Sequence, residues 1–138
     1  ITDKERIAYN APTLQQARER LKIMNKKKIQ NLYTSGTSVD DIITLIKSEN
    51  LQNSKYDLSE MNINSFGYML MGQNKDEEAL KILEVNTKLY PDAANTWDSY
   101  GEILMKLGRN EESIAAYKKS IELNPENQNA KNQINELQ

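Results

Sequence analysis

The chain has 138 residues, 38% of them hydrophobic and 28% charged, with a net charge of −2 and neither Cys nor His. That length supports one domain with a real core and is too short for two independent ones. Without Cys there are no disulfides, thiolate nucleophiles or thiolate metal sites, and without His the commonest metal ligand and general base is missing. No run reaches the roughly 20 apolar residues that cross a bilayer, and no charged start precedes an apolar core as in a signal peptide.

In chain order, Ile7 and Tyr9 are candidates to dock on later helices, while Asn10 and Pro12 read as a linker turn. Residues 13–35 then form one expected helix, with Leu14, Ala17, Leu21, Met24, Ile29, Leu32 and Tyr33 on or near one side and Gly36 ending it. Ser38 and Asp41 resemble a capping arrangement opening a helix through Ile42, Ile43, Leu45 and Ile46 to about residue 49. Ser59 or Asp57 opens the next, which runs to about Met71 and is broken by Gly72. Asn74 and Glu77 read as a capping box for a helix to about Leu89. Asp92, after Pro91, is a plausible N-cap for a helix to about Leu107, closed by Gly108. Asn110 starts a partner helix that stops before Pro125. A last helix places Ala130, Ile134 and Leu137 on one stripe and reads as a solvating cap.

These seven expected helices contain a repeat. Residues 60–93 and 94–127 are two copies of one 34-residue pattern with no gap between them. In the second copy its slots hold Trp97, Tyr100, Gly101, Leu104, Ser113, Tyr117, Ser120 and Pro125. In the first, the same offsets hold Ile63, Phe66, Gly67, Leu70, Ala79, Leu83, Asn86 and Pro91. Gly67 and Gly101 fall in mid-helix, where each costs about 1 kcal/mol against alanine, so the spacing predicts close packing against a facing helix. Trp97 is expected in the core, between its own repeat and the preceding one.

This pattern resembles the tetratricopeptide repeat family. The resemblance implies an all-α, right-handed superhelical solenoid of antiparallel helix pairs. The division it implies is an N-terminal segment and helix over 1–36, and a degenerate pair partner with linker over 37–59. Repeats follow over 60–93 and 94–127, and a capping helix over 128–138. The degenerate first pair would cover the apolar face that two repeats leave open.

In that family the first helix of each repeat lines an inner face. Outward from the packing slots, those helices carry Asn64, Tyr68 and Met71 in the first copy and Asn95, Asp98, Glu102 and Met105 in the second. These are the candidate partner-binding residues, with Tyr68, Met71 and Met105 as adaptable apolar groups among polar ones. Repeats that clamp acidic chaperone tails use Lys and Asn here. Asp98 and Glu102 would repel a C-terminal carboxylate instead.

Neither acidic run, at 76–78 or at 111–112, has the alternating ligands and glycine of a calcium loop; both suit the first turn of a helix. No catalytic residue, metal site or cofactor is expected: there is no G-x-S-x-G elbow, Ser-x-x-Lys or phosphate loop. Lys22, Lys26, Lys27 and Lys28 form a basic cluster without interleaved aromatics, which disfavours nucleic acid as a partner. No membrane partner is expected either. The expected partner is a protein or peptide, including a domain of the same chain.

A second resemblance concerns context. Residues 56–60, 64–68, 89–92 and 97–102 look like the C-terminal repeat tail of certain bacterial serine hydrolases of Bacteroidetes type, β-lactamase-like or esterase-like. It implies an accessory domain whose catalytic serine lies upstream of Ile1, in the periplasm if secreted and otherwise in the cytoplasm. The start at Ile1, not Met, carries the matching expectation of a piece of a longer protein, and a natural end near Gln138 fits.

Overall fold

The computed structural model describes residues 13–138, with the backbone alone at 22–24; Ile7, Tyr9, Asn10 and Pro12 lie outside the described residues. Eight helices follow one another among them: α1 (Leu14–Met24), α2 (Ile29–Thr34), α3 (Val39–Ser48), α4 (Glu60–Gly72), α5 (Asp76–Leu89), α6 (Ala94–Lys106), α7 (Asn110–Leu123) and α8 (Gln128–Leu137). The pairs α4–α5 and α6–α7 share their boundaries at an offset of 34 residues, so the sequence period is also the structural one.

One expected helix becomes two. Thr13 caps α1 reciprocally with Gln16: its hydroxyl accepts from the Gln16 N–H at 3.1 Å while its own N–H donates to the Gln16 side chain at 3.0 Å. The helix then stops at Met24 because Lys27 is recruited elsewhere. Its N–H donates to the Lys55 carbonyl and its carbonyl accepts from the Asp57 N–H, both at 2.8 Å, forming an isolated parallel bridge with Tyr56. The apolar residues already change phase here, since Met24 and Ile29 are five apart where a helical stripe needs three or four. Leu14 and Leu21 of α1 stay exposed, whereas Ile29 of α2 is fully buried.

The segment between α3 and α4 is part of the core. Tyr56 and Leu58 are buried, and the Tyr90 hydroxyl donates to the Leu58 carbonyl. Ser54 is buried as well, and its hydroxyl accepts from the Tyr56 N–H at 3.1 Å. Together with Val39, Ile42 and Ile46 of α3, Tyr56 and Leu58 join Ile63, Phe66 and Leu70 of α4 in one continuous cluster. Tyr33 meets Phe66 with ring centroids 5.6 Å apart. The N-terminal pair thus covers the open face of the first copy, as the burial argument requires.

Helix ends follow partly different chemistry from that expected. Ser38 and Ser59 cap α3 and α4 through their hydroxyls. Gly72 is helical, and the left-handed residue ending α4 is Asn74, with φ 61°. Asn74 is the counterpart of Gly108, with φ 78°, at the 34-residue offset. Asn74 therefore closes a helix and forms no capping box. Lys75 occupies the N-cap of α5 without a side-chain bond, and Ala93, not Asp92, occupies that of α6. The clustered acids Asp76, Glu77 and Glu78 in the first turn of α5 offset the missing cap through the helix dipole.

Inside the copies the glycines meet the expected obstacle. A Cβ on Gly67 would lie 2.4 Å from Leu83 Cδ2, and one on Gly101 would lie 3.1 Å from the Tyr117 ring. One polar bond recurs in both copies: the Asn86 amide donates to the Glu60 carbonyl at 3.1 Å and the Ser120 hydroxyl to the Ala94 carbonyl at 2.8 Å. Each ties the second helix to the first residue of its partner. Trp97 is only partly buried, edge-on to Tyr100, and its indole N–H donates to the Pro91 carbonyl at 2.8 Å. Its counterpart Ile63 is fully buried. At the far end Ala130 and Ile134 of α8 pack on Tyr117 in a second cluster that closes the stack.

Candidate functional site

The first helices of the two copies, α4 and α6, lie side by side, and α8 continues the row. Three bonds stitch α4 to α6 across this face. The Tyr68 hydroxyl donates to the Glu102 carboxylate. The Asn95 amide donates to Glu60 Oε1 at 2.9 Å, and Lys106 Nζ donates to the Met71 carbonyl at 3.1 Å. Between α6 and α8, Asp98 Oδ1 accepts from Asn127 Nδ2 at 3.2 Å and from Asn129 Nδ2 at 3.3 Å.

Six of the seven candidates reach this face. Tyr68 and Asn95 are exposed, and Asn64, Asp98, Glu102 and Met105 are partly buried. Met71 does not reach it: only 9% exposed, it belongs to the main core, directly after Leu70 at the end of α4. The face also has a member not foreseen from sequence. Met61 is 74% exposed, the largest exposure of any big apolar side chain described. It stands 34 residues before Asn95, so carrying the offset across from that candidate would have found it.

The electrostatics are one-sided. Burial, the bond to Glu102 and the nearby carboxylates together push the Tyr68 phenol well above its ordinary range. Burial, then Asp98 and Glu102, do the same for Tyr117, whose ring fills the space beside Gly101. Asp98 and Glu102 are one turn apart on α6, and neither forms an ion pair among the described residues. Lys106, one turn after Glu102, is turned away to Asp76 of α5 at 3.0 Å. What the face presents is a row of hydrogen-bond acceptors beside two exposed, adaptable apolar groups. No cluster of three or more acidic residues that could hold a metal ion occurs among the described residues.

The class this architecture defines is an α-solenoid of stacked helix pairs. Residues 94–127 match the tetratricopeptide repeat family model, so the chain carries such a repeat and folds as these repeats do. Among solved structures, the chain is similar to MamA at 20% identity and a TM-score of 0.56, covering 76% of this chain and 60% of that one. It therefore spans less than two thirds of MamA. It is equally similar, with a TM-score of 0.56 and 18% identity, to the first TPR of Spaghetti (RPAP3), solved bound to the HSP90 peptide SRMEEVD. That match covers 78% of this chain and 82% of the other. A search of curated proteins found no match. None of these comparisons supports the reading as a serine hydrolase tail.

Proposed function

We propose that this chain is a non-catalytic protein-interaction module that presents the face of α4, α6 and α8 to a peptide or a partner domain, one attached to the same chain included. The observation that carries this reading is the pairing of Met61 and Tyr68. Both are exposed apolar groups on one face of α4, with the polar Asn64 and Ser65 between them in the chain. Large apolar groups grouped on a face rimmed by polar ones mark surfaces used for association. The fold supports it too, since a structure of the same architecture holds a peptide. Asp98 and Glu102 set this face apart from one that would receive an acidic tail.

The test is affinity capture with the wild-type chain and with Met61→Ala/Tyr68→Ala, identifying bound proteins by mass spectrometry. Met61 is exposed, whereas Tyr68→Ala removes a bond between α4 and α6, so the variant should keep its helical circular dichroism at the capture temperature while its melting temperature falls. A partner lost by that variant supports the reading. A partner retained in full by a folded variant would sink it.

A further inference from the structure

The large apolar side chains that stay exposed among the described residues lie on two helices: Leu14 and Leu21 on α1, Met61 and Tyr68 on α4. Each pair is seven residues apart, about 10 Å along a helix, and each stands in a setting of opposite charge.

Among the described residues no other helix packs along α1. Leu14, Ala17 and Leu21 form one stripe on it, with Leu21 57% exposed. At about 100° per residue, Arg18 and Arg20 flank this stripe on either side and Glu19 falls opposite it. Neither arginine forms an ion pair among the described residues. The lysines at 22 and 26–28 make the whole segment basic. On the other side, α4 carries no basic residue, and α6 carries only Lys106, which Asp76 holds. Glu60 precedes Met61 in the chain, Glu102 accepts from the Tyr68 phenol, and Asp98 lies one turn before Glu102.

The joint after α1 keeps the helix away from this face of its own chain. The Asn25 N–H donates to the Leu21 carbonyl at 3.0 Å, and Lys27 is fixed between the Lys55 carbonyl and the Asp57 N–H. Lys26 between them reaches the Gln52 carbonyl at 3.3 Å. Two α1 helices would bring Arg18 and Arg20 against their like, so the complement of α1 is an acidic face and not another α1.

We infer that α1 of one copy of this chain docks on the α4–α6 face of a second copy, Leu14 and Leu21 against Met61 and Tyr68, the two arginines toward Glu60, Asp98 and Glu102. An amphipathic helix laid on a groove through anchors spaced by whole turns is a recurring mode of recognition. The contact is head-to-tail, so every copy in a dimer leaves either its helix or its face open to a further copy. The inference rests on the interaction reading above and names the partner of that face.

Sedimentation velocity on the whole chain tests it. A single helix on a groove belongs to the small, weak interfaces, so mass should rise with concentration in the range of about 10–100 μM and fall back as salt is added. Leu21→Glu and Met61→Glu change exposed side chains and should keep the helical circular dichroism. Each should weaken self-association at least roughly tenfold. An equal mixture of the two should form a dimer and stop there, because one variant supplies an intact helix and the other an intact face. Three results would each overturn the inference: a wild-type chain that stays monomeric at several hundred μM, self-association that survives Met61→Glu, or a mixture that stays monomeric while the wild type associates. In any of these cases a partner captured by the wild type and lost by Met61→Ala/Tyr68→Ala would leave the interaction reading standing with a different partner.

Discussion

The two 34-residue copies and the pair that precedes them bury the same kind of surface in different ways. In the copies every helix boundary recurs at a fixed offset, and the bond from the second helix to the first residue of its partner recurs with it. In the N-terminal pair, α2 is only six residues long, and its register is set by long-range contacts. These are the bridge from Lys27 to Tyr56 and the paired amides of Gln30 and Asn62, with Gln30 Nε2 donating to Asn62 Oδ1 at 2.9 Å. A repeat can specify itself through local spacing, because each unit meets a neighbour of the same shape. A terminal pair meets something different on each side, so its helices break where the neighbour demands it.

The joint between the two regions should show the largest effect. Phe66 is fully buried on α4 and meets Tyr33 of α2. Phe66→Ala should cost about 3–5 kcal/mol in urea unfolding. If the transition also splits in two, the N-terminal pair and the copies unfold separately.

A sharper comparison lies between the copies themselves. Alanine at Gly67 places its Cβ 2.4 Å from a buried Leu83 methyl, while at Gly101 the nearest atoms are those of the Tyr117 ring at 3.1 Å. Overpacking costs about 1–3 kcal/mol, against a helix gain of about 1 kcal/mol for replacing glycine. Gly67→Ala should therefore destabilise by about 1–2 kcal/mol, and Gly101→Ala should stay within about 1 kcal/mol of wild type. Leu83→Val should offset part of the Gly67→Ala loss, and a cycle of the single and double variants measures that coupling. Equal effects at both glycines would mean that the contact partner is immaterial.

Smaller effects are expected at the turns. Gly108→Ala puts a Cβ on a left-handed residue and should cost about 1 kcal/mol. Asn74→Gly, at the equivalent position, should be neutral or stabilising by a few tenths of a kcal/mol, since asparagine there already tolerates that conformation only in part. Thermal melts of the two variants decide whether the turns are equivalent.

The last effect is absent at neutral pH. Tyr68 and Tyr117 hold their protons more tightly when folded than the ordinary tyrosine value of 10.0 allows. Folding is therefore favoured fully below about pH 10, where both states keep the proton, and loses stability as pH rises above it. Tyr117→Phe should move the alkaline unfolding midpoint upward relative to its own neutral-pH stability. A parallel shift at all pH values would show that only packing had changed.

Much of the fold could be read before any coordinates. Recurrent Tyr100, Gly101, Leu104 and Phe66, Gly67, Leu70 placed the close contacts, and the Ser38 and Ser59 caps opened the helices expected. The candidate face was legible in part, because outward positions follow from helical spacing once the packing slots are known. Met71 lies in the core and not on that face because it stands at the end of α4, where Lys106 reaches its carbonyl and the core takes its side chain. Asn74 was misread because its local sequence suits a helix start as well as a helix end.

The sequence by itself determined the period, the antiparallel pairs and the mid-helix glycines, since these depend on spacings of three, four and 34 residues that a chain carries locally. Only the tertiary structure decided that residues 25–28 leave the helix, that 54–58 enter the core, and that Lys106 abandons Glu102 for Asp76. Each of these is a choice between partners that are adequate in isolation. It is settled by which surfaces the stacked helices bring within reach, and no local spacing records that.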